Sequence, residues 1–356
     1  MQTPGYMRHV LRLILVMVLL GGMAVPEVYS AISRPTHLDK SKNPFGCAAC
    51  HVQPGKLGSL AAATTYDVCF SCHGTISQSR RIVATADISS VLRKRYRHPI
   101  VDTAATHSPD EELPEKSAST RRHVTCQDCH RIHVSTPDNA LEGVKGYSAR
   151  RERNIKAVRE YEVCYKCHSD SANLPYNMKN KRLEFDQSNM SFHPIEGPGR
   201  NRRVPSLIRQ LNVSSTINCT DCHGNDDPYG PKGPHGSNQE YLLKNEYRRT
   251  EGSESAKTYE LCYSCHERQS IIENQSFKKH KEHIIYYRIP CSACHVAHGT
   301  NRNANLIEFD TNFVKMIPAA TYMRGIEGRP LCYLNCHVGG RDSKHDDAFY
   351  SGKRWP

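Results

Sequence analysis

The longest apolar stretch along this chain is a single run, Leu13 to Val25, preceded by Arg8 and Arg12. It is about 13 residues long, short of the roughly 20 that a membrane-spanning helix needs. Val28-Tyr29-Ser30 follows with residues that a signal peptidase reads, so the first thirty residues are expected to be a secretory signal peptide, with an uncleaved N-terminal anchor as the alternative. No later segment is apolar enough to span a bilayer. Helical spacing is clearest from Asn154 to His168, where Ile155, Val158, Tyr161 and Tyr165 recur. Elsewhere, long stretches rich in Pro, Gly, Asn and Arg separate short apolar positions. The pattern predicts short helices, long connections and little or no β-sheet.

Composition sharpens this. The 356 residues suggest about two ordinary domains. Only 38% are hydrophobic, however, against about 45–50% for globular proteins. A large side-chain core is therefore not expected. Eighteen Tyr and eight Phe argue equally against a disordered chain. Something other than side chains must fill the interior.

The 16 cysteines point to what that is. They form eight clusters, and a histidine follows the second cysteine of each. The first four are Cys47-Ala-Ala-Cys50-His51, Cys69-Phe-Ser-Cys72-His73, Cys126-Gln-Asp-Cys129-His130 and Cys164-Tyr-Lys-Cys167-His168. The others are Cys219-Thr-Asp-Cys222-His223, Cys262-Tyr-Ser-Cys265-His266, Cys291-Ser-Ala-Cys294-His295 and the longer Cys332-Tyr-Leu-Asn-Cys336-His337. Disulfides and structural zinc also use paired cysteines, but neither requires a histidine at one fixed offset. At this chain's composition, eight such placements have a chance probability on the order of 10⁻¹⁰. Cys-x-x-Cys-His is the attachment signature of c-type haem. Positions i, i+3 and i+4 share one face of a helical turn, so two thioethers and one imidazole address the edge and the iron of one porphyrin. The eighth cluster, with cysteines at i and i+4, keeps one face and the Cys336-His337 step. Eight covalently bound haem c groups are expected, with about 41 residues of mature chain to wrap each one.

The clusters alternate in type. One type follows Tyr-acid-aliphatic, as in Tyr66-Asp67-Val68-Cys69, Tyr161-Glu162-Val163-Cys164 and Tyr259-Glu260-Leu261-Cys262, with the cluster at Cys332 a weaker member. The other has small or polar residues between its cysteines, at Cys47, Cys126, Cys219 and Cys291. Four two-haem repeats result, near 37–95, 96–190, 191–278 and 279–356. Three of the second type lead to another histidine and a leucine-containing tail: His133 to Leu141, His235 to Leu243 and His298 to Leu306. Here the chain resembles the doubled-motif family of multihaem c-type cytochromes, whose units read Cys-x-x-Cys-His, His-Gly, Cys-x-x-Cys-His. Cys291-Ser-Ala-Cys294-His295-Val-Ala-His298-Gly299 carries the likeness best, and it extends roughly from Cys47 to His337. The resemblance implies a haem-packed core wrapped by loops and short α-helices.

Function turns on the second axial position of each iron. Two histidines make an electron carrier, whereas an open position admits substrate. His98 and His193 each lie 25 residues after a cluster histidine and precede Pro-Ile, which helps to aim an imidazole from a loop. His133, His235 and His298 are marked by the His-Gly-like repeat. In the fourth repeat His280 and His283 compete, and His283 is carried as the candidate. His37 and His345 complete the set, with His107 and His123 as bystanders. The first repeat is irregular: Pro54 stands where His133 and His298 stand, so one iron there takes its ligand from elsewhere or stays open.

The formal charge of +12 first suggests nucleic acid. About sixteen haem propionates offset most of it, and the runs Arg80-Arg81, Arg93 to Arg97 and Arg202-Arg203 are expected to be propionate partners or solvated faces. No nucleic-acid partner is expected. The expected function is that of an exported octahaem cytochrome, periplasmic or at the cell surface, carrying electrons through bis-histidine haems in anaerobic respiration. Its partners would be a quinol-oxidising complex, other cytochromes or an outer-membrane conduit. Two alternatives stand beside it. One is an octahaem reductase of nitrite, hydroxylamine or a sulfur oxyanion with one open iron. The other is the subunit of a cytochrome filament, in which a terminal histidine ligates the next copy.

Overall fold

A computed structural model of the chain describes residues 35–53, 60–62, 64–75, 85–100, 107, 113, 123–170, 173–174, 176–311, 322–324 and 330–332. The expected signal segment, Pro54, Arg80-Arg81, Cys336, His337 and His345 lie outside them.

The described residues form eight short α-helices: α1 (Thr65–His73), α2 (Ile88–Val91), α3 (Cys126–Cys129), α4 (Glu160–His168), α5 (Lys181–Phe185), α6 (Cys219–Cys222), α7 (Glu260–Tyr263) and α8 (Arg268–Ile272). The strands are β1 (Tyr96–Arg97), β2 (Lys145–Tyr147), β3 (Arg153–Lys156), β4 (Ser191–Phe192), β5 (Gly236–Ser237), β6 (Gly299–Thr300), β7 (Tyr322–Arg324) and β8 (Pro330–Cys332). They pair only two by two and antiparallel, as β1-β5, β2-β3, β4-β6 and β7-β8. The rest is loop. Short helices, long connections and very little sheet are what the sequence predicts for a chain wrapped around haem.

Five of the cysteine clusters close the same local bond, in which the histidine N–H donates to the carbonyl of the first cysteine. His51 reaches Cys47 at 3.0 Å, and His130, His223, His266 and His295 reach Cys126, Cys219, Cys262 and Cys291 at 2.9 Å. The turn thus forms at the motif itself. Two clusters carry their own cap: in Cys-x-Asp-Cys, Asp128 accepts from the Thr125 N–H and Asp221 from the Asn218 N–H, both at 2.7 Å. Such capping satisfies an orphan donor at the start of a single-turn helix. In α1 the Thr64 hydroxyl accepts from the Asp67 N–H at 3.2 Å.

The helix expected from Asn154 to His168 begins only at Glu160. Residues Arg153–Lys156 pair with Lys145–Tyr147 as a strand, and Asn154 sits at φ +58°, outside the right-handed helical region. Glu162 ends the competition by accepting from the Val158 and Arg159 N–H groups at 2.7 and 2.9 Å, which fixes the helix start. An apolar period of 3.6 was present, but the cap decided where the helix began.

Buried apolar side chains are few and scattered. Among the described residues the one packed cluster is Tyr165, Phe185 and Ile195, edged by Tyr147, Tyr161, Ile217 and Cys219. The β1-β5 and β4-β6 ribbons are more telling, because each brings a His-Pro-Ile segment alongside a His-Gly segment. Arg97 pairs with Gly236, and the His98 N–H then meets the His235 carbonyl at 3.4 Å. Phe192 pairs with Gly299, and the His193 N–H meets the His298 carbonyl at 2.8 Å. In both segments the isoleucine N–H turns back onto the histidine carbonyl at 2.8 Å (Ile100 to His98, Ile195 to His193), and the isoleucine is buried.

The glycine of His-Gly is required by close approach. A Cβ on Gly236 would collide with the Val91 carbonyl oxygen, and one on Gly299 with the Glu184 carbonyl oxygen. Backbone cannot yield as a flexible side-chain tip can. Gly236→Ala is therefore expected to cost at least about 1–3 kcal/mol and to disturb His98 and His235 together. Thermal unfolding of the holoprotein should show the loss, and an unchanged midpoint would contradict it.

Candidate haem sites

Seven of the eight cluster histidines lie in described residues, and each faces one further imidazole. The ring centroids are 6.2 Å apart for His51–His133, 6.1 Å for His37–His73, 6.2 Å for His130–His235 and 6.3 Å for His98–His168. They are 6.1 Å apart for His223–His298, 6.5 Å for His193–His266 and 6.4 Å for His280–His295. With about 2.0 Å for each metal–nitrogen bond and about 1.1 Å from nitrogen to ring centre, two imidazoles across one iron would hold their centroids roughly 6.2 Å apart. Direct ring stacking would bring them closer, as in His107–His123 at 4.3 Å, where no iron fits. The residues therefore fit a bis-histidine haem at seven places.

The hydrogen bonds set the tautomer as well. Nδ1 of His73, His98, His130, His193, His223 and His295 points at the carbonyl oxygens of Ala86, Pro234, Ala140, Ala297, Tyr241 and Asn305. A carbonyl only accepts, so Nδ1 carries the proton and Nε2 presents its lone pair, the state a metal ligand needs. Burial lowers the pKa of the paired rings His168, His223, His235, His266 and His280 to about 4.

Two of those carbonyls explain the leucine-containing tails. The tail after His298 returns to place the Asn305 carbonyl on His295, and the tail after His235 places the Tyr241 carbonyl on His223. Both turns use consecutive left-handed residues, Asn305-Leu306 and Tyr241-Leu242, with φ of 58 to 62°. Such backbone costs about 1–2 kcal/mol per non-glycine residue, and here it orients a cluster imidazole.

The pairing crosses the repeats. His133 lies three residues after His130 yet faces His51, and His298 lies three after His295 yet faces His223. His235 faces His130, one repeat back, while His98 and His193 face His168 and His266, the later cluster of their own repeats. Each ribbon thus carries the second histidines of two adjacent sites, β1-β5 for the third and fourth and β4-β6 for the fifth and sixth. The first and second follow the same plan without a ribbon: the Thr36 N–H donates to the Ser135 carbonyl at 3.1 Å, and the Ile132 carbonyl lies beside His37. His98 and His193 likewise bond the carbonyl of the residue preceding His235 and His298.

This arrangement accounts for Pro54. The histidine after a cluster of the second type faces the preceding repeat, and in this sequence no cluster precedes Cys47. The signal lay in the spacing: three residues span at most about 10 Å, too little for the chain to pass round a porphyrin from His130 and reach its far side.

One candidate is replaced. His280, not His283, faces His295; the His283 Nδ1 instead meets the Lys279 carbonyl at 2.7 Å, and its ring tilts against Phe277. The helical face offered no basis for choosing between them. His107 meets Asp128 at 2.9 Å through Nδ1 and stacks on His123. Of the basic run, Lys94 pairs with Asp226 at 2.5 Å and Arg95 lies over the Tyr96 ring; Arg93, Arg202 and Arg203 are exposed.

None of the fourteen cluster cysteines from Cys47 to Cys294 is in a disulfide. The thiols of successive clusters meet. Cys69 shares a hydrogen bond with Cys126, and Cys164 with Cys219. Burial raises Cys50, Cys129, Cys222 and Cys291, and each is raised further by a thiol of a neighbouring cluster: Cys72, Cys164, Cys265 and Cys262. Between the fourth and fifth clusters, Glu160 accepts from the Thr220 N–H at 2.8 Å and from its hydroxyl at 2.5 Å. The seven described sites stand in a row that follows chain order.

Residues 120–173 and 212–271 match the family model described as the doubled CXXCH motif. No curated protein and no solved structure matches the chain. The motif is that of multihaem c-type cytochromes, and it implies covalently bound haem c. Among the described residues no helix is long and apolar enough to cross a membrane.

Proposed function

We propose that this chain is an exported octahaem c-type cytochrome, built of four two-haem repeats, that carries electrons one at a time through bis-histidine haems in anaerobic respiration. The observation that carries the reading is the set of seven facing imidazole pairs, with centroids 6.1 to 6.5 Å apart. Haem c, when bound, supplies reversible one-electron exchange at its iron.

The chain's own residues do the rest. The paired cysteines would hold each haem through thioether links, and the two facing histidines of each pair would both serve as ligands to its iron, which would leave no coordination site for a substrate. Backbone carbonyls on Nδ1 hold the rings in one tautomer and orientation, so little rearrangement accompanies a change of charge. Cysteines of neighbouring clusters in contact bring successive porphyrin edges together, which favours passage from site to site. Redox proteins at either end of the row are the partners that this arrangement suits.

Intact mass and low-temperature electron paramagnetic resonance of the ferric protein test the reading together. The expected result is eight haem additions and a wholly low-spin spectrum. A high-spin iron accompanied by reduction of nitrite, hydroxylamine or a sulfur oxyanion would replace it with the reductase reading, and seven additions would remove the eighth site at Cys332, Cys336 and His337.

A further inference from the structure

The fifth site differs from its neighbours in the group behind its second histidine. Six of the paired rings place Nδ1 on a backbone carbonyl, and His266 and His280 place it on the hydroxyls of Ser206 and Ser276. His298 alone among the paired rings meets a carboxylate, Glu184 Oε2, at 2.9 Å.

The contact is built into the fold. Glu184 lies on α5, whose cap is the Asn180 side chain, accepting from the Leu183 N–H at 3.3 Å. Asn189 holds the end of that helix through the Leu183 and Glu184 carbonyls at 2.7 and 2.9 Å. The same Glu184 carbonyl packs against Gly299, next to His298, and the Phe185 ring meets the imidazole edge-on at 5.1 Å. The Glu184 side chain is only 15% exposed. Lys181 Nζ lies 2.5 Å from the same Oε2, so the carboxyl group stands between a cation and the imidazole. Glu160, bonded to Thr220 between the two cysteines of the same site, adds a second carboxylate.

A carboxylate on Nδ1 makes the imidazole a stronger donor, and a stronger donor favours the ferric state. We propose that Glu184 is a positioning residue that makes the fifth haem, held by His223 and His298, the most reducing of the seven described sites. An electron crossing the row then meets its highest step near the middle, with the first four sites on one side and the sixth and seventh on the other. The inference rests on the reading of His298 as an iron ligand.

Potentiometric titration of the holoprotein, followed optically and by electron paramagnetic resonance, tests it with two variants. Glu184→Gln keeps the shape and an acceptor oxygen but removes the charge. It is expected to raise the lowest midpoint of the titration at least tenfold in the reduction equilibrium, about 59 mV for one electron, with the haem count unchanged. Lys181→Gln, which removes the opposing charge, should lower the same midpoint. Opposite shifts of one haem are not the mark of a merely structural residue. If the lowest midpoint stays in place in both variants, or if a different one moves, the inference is wrong. His298→Ala separates that failure from failure of the underlying reading: one iron should turn high-spin, and a spectrum that stays wholly low-spin would remove His298 as a ligand.

Discussion

Produced without haem attachment, the chain is expected to lose its fold altogether. Its longest described helices, α1 and α4, have nine residues, below the roughly 12–15 at which even favourable isolated helices become stable. Its ribbons have two to four residues per strand, and an isolated pair of strands is marginal in water. Among the described residues fourteen apolar side chains are buried, and only three of them form a packed cluster. Two thioethers and two imidazoles per site supply the constraints that the side chains do not. Folding and cofactor attachment should therefore be one event, as in small metal-stapled domains. The test is expression in a host lacking haem attachment, with circular dichroism and hydrogen exchange on the product. Unfolded-chain signals are expected at every backbone position, and native-like protection without haem would show that the polypeptide core suffices.

How much of this was open to reading follows from how local each signal is. The eight clusters, the one-turn helices and the two His-Pro-Ile segments are encoded within a few residues each, and the structure has a physical use for every one that it describes. Asp128 and Asp221 cap the turns they sit in, and Ile100 and Ile195 close the turns that present His98 and His193. The partner of each cluster histidine is encoded nowhere locally. His130 and His235 are 105 positions apart in sequence and 6.2 Å apart in space, and long-range links such as the ribbon between Arg97 and Gly236 and the Lys94–Asp226 ion pair hold the His235 segment in place. Choosing between His280 and His283 failed for a related reason. Both lie where the chain turns from Ser276 to Tyr286, and the carbonyl of Lys279 decides which ring turns away. The strand at Arg153–Lys156 was concealed by an apolar period that continued past the true start of the helix.

Replacing His133 with alanine is expected to open the iron of the first cluster while leaving the nearer one, at His130, closed. The imidazole facing His51 is His133 at 6.2 Å, whereas the one facing His130 is His235 at the same spacing. Sequence proximity alone assigns His133 to the cluster three residues before it, and the two assignments give opposite results. Removal of the second histidine ligand leaves a five-coordinate ferric iron, so one high-spin equivalent should appear in the resonance spectrum, with affinity for cyanide, and after reduction for carbon monoxide, that the parent lacks. Its position is found by repeating His133→Ala in a protein already carrying Cys47→Ala and Cys50→Ala, which has no first haem. There the high-spin signal should vanish, because the iron that His133 served is gone. A signal that persists in that background would place the open iron at His130 and undo the interleaved pairing. The irregular first repeat would then again leave an iron without a second histidine, and the reductase reading would return with it.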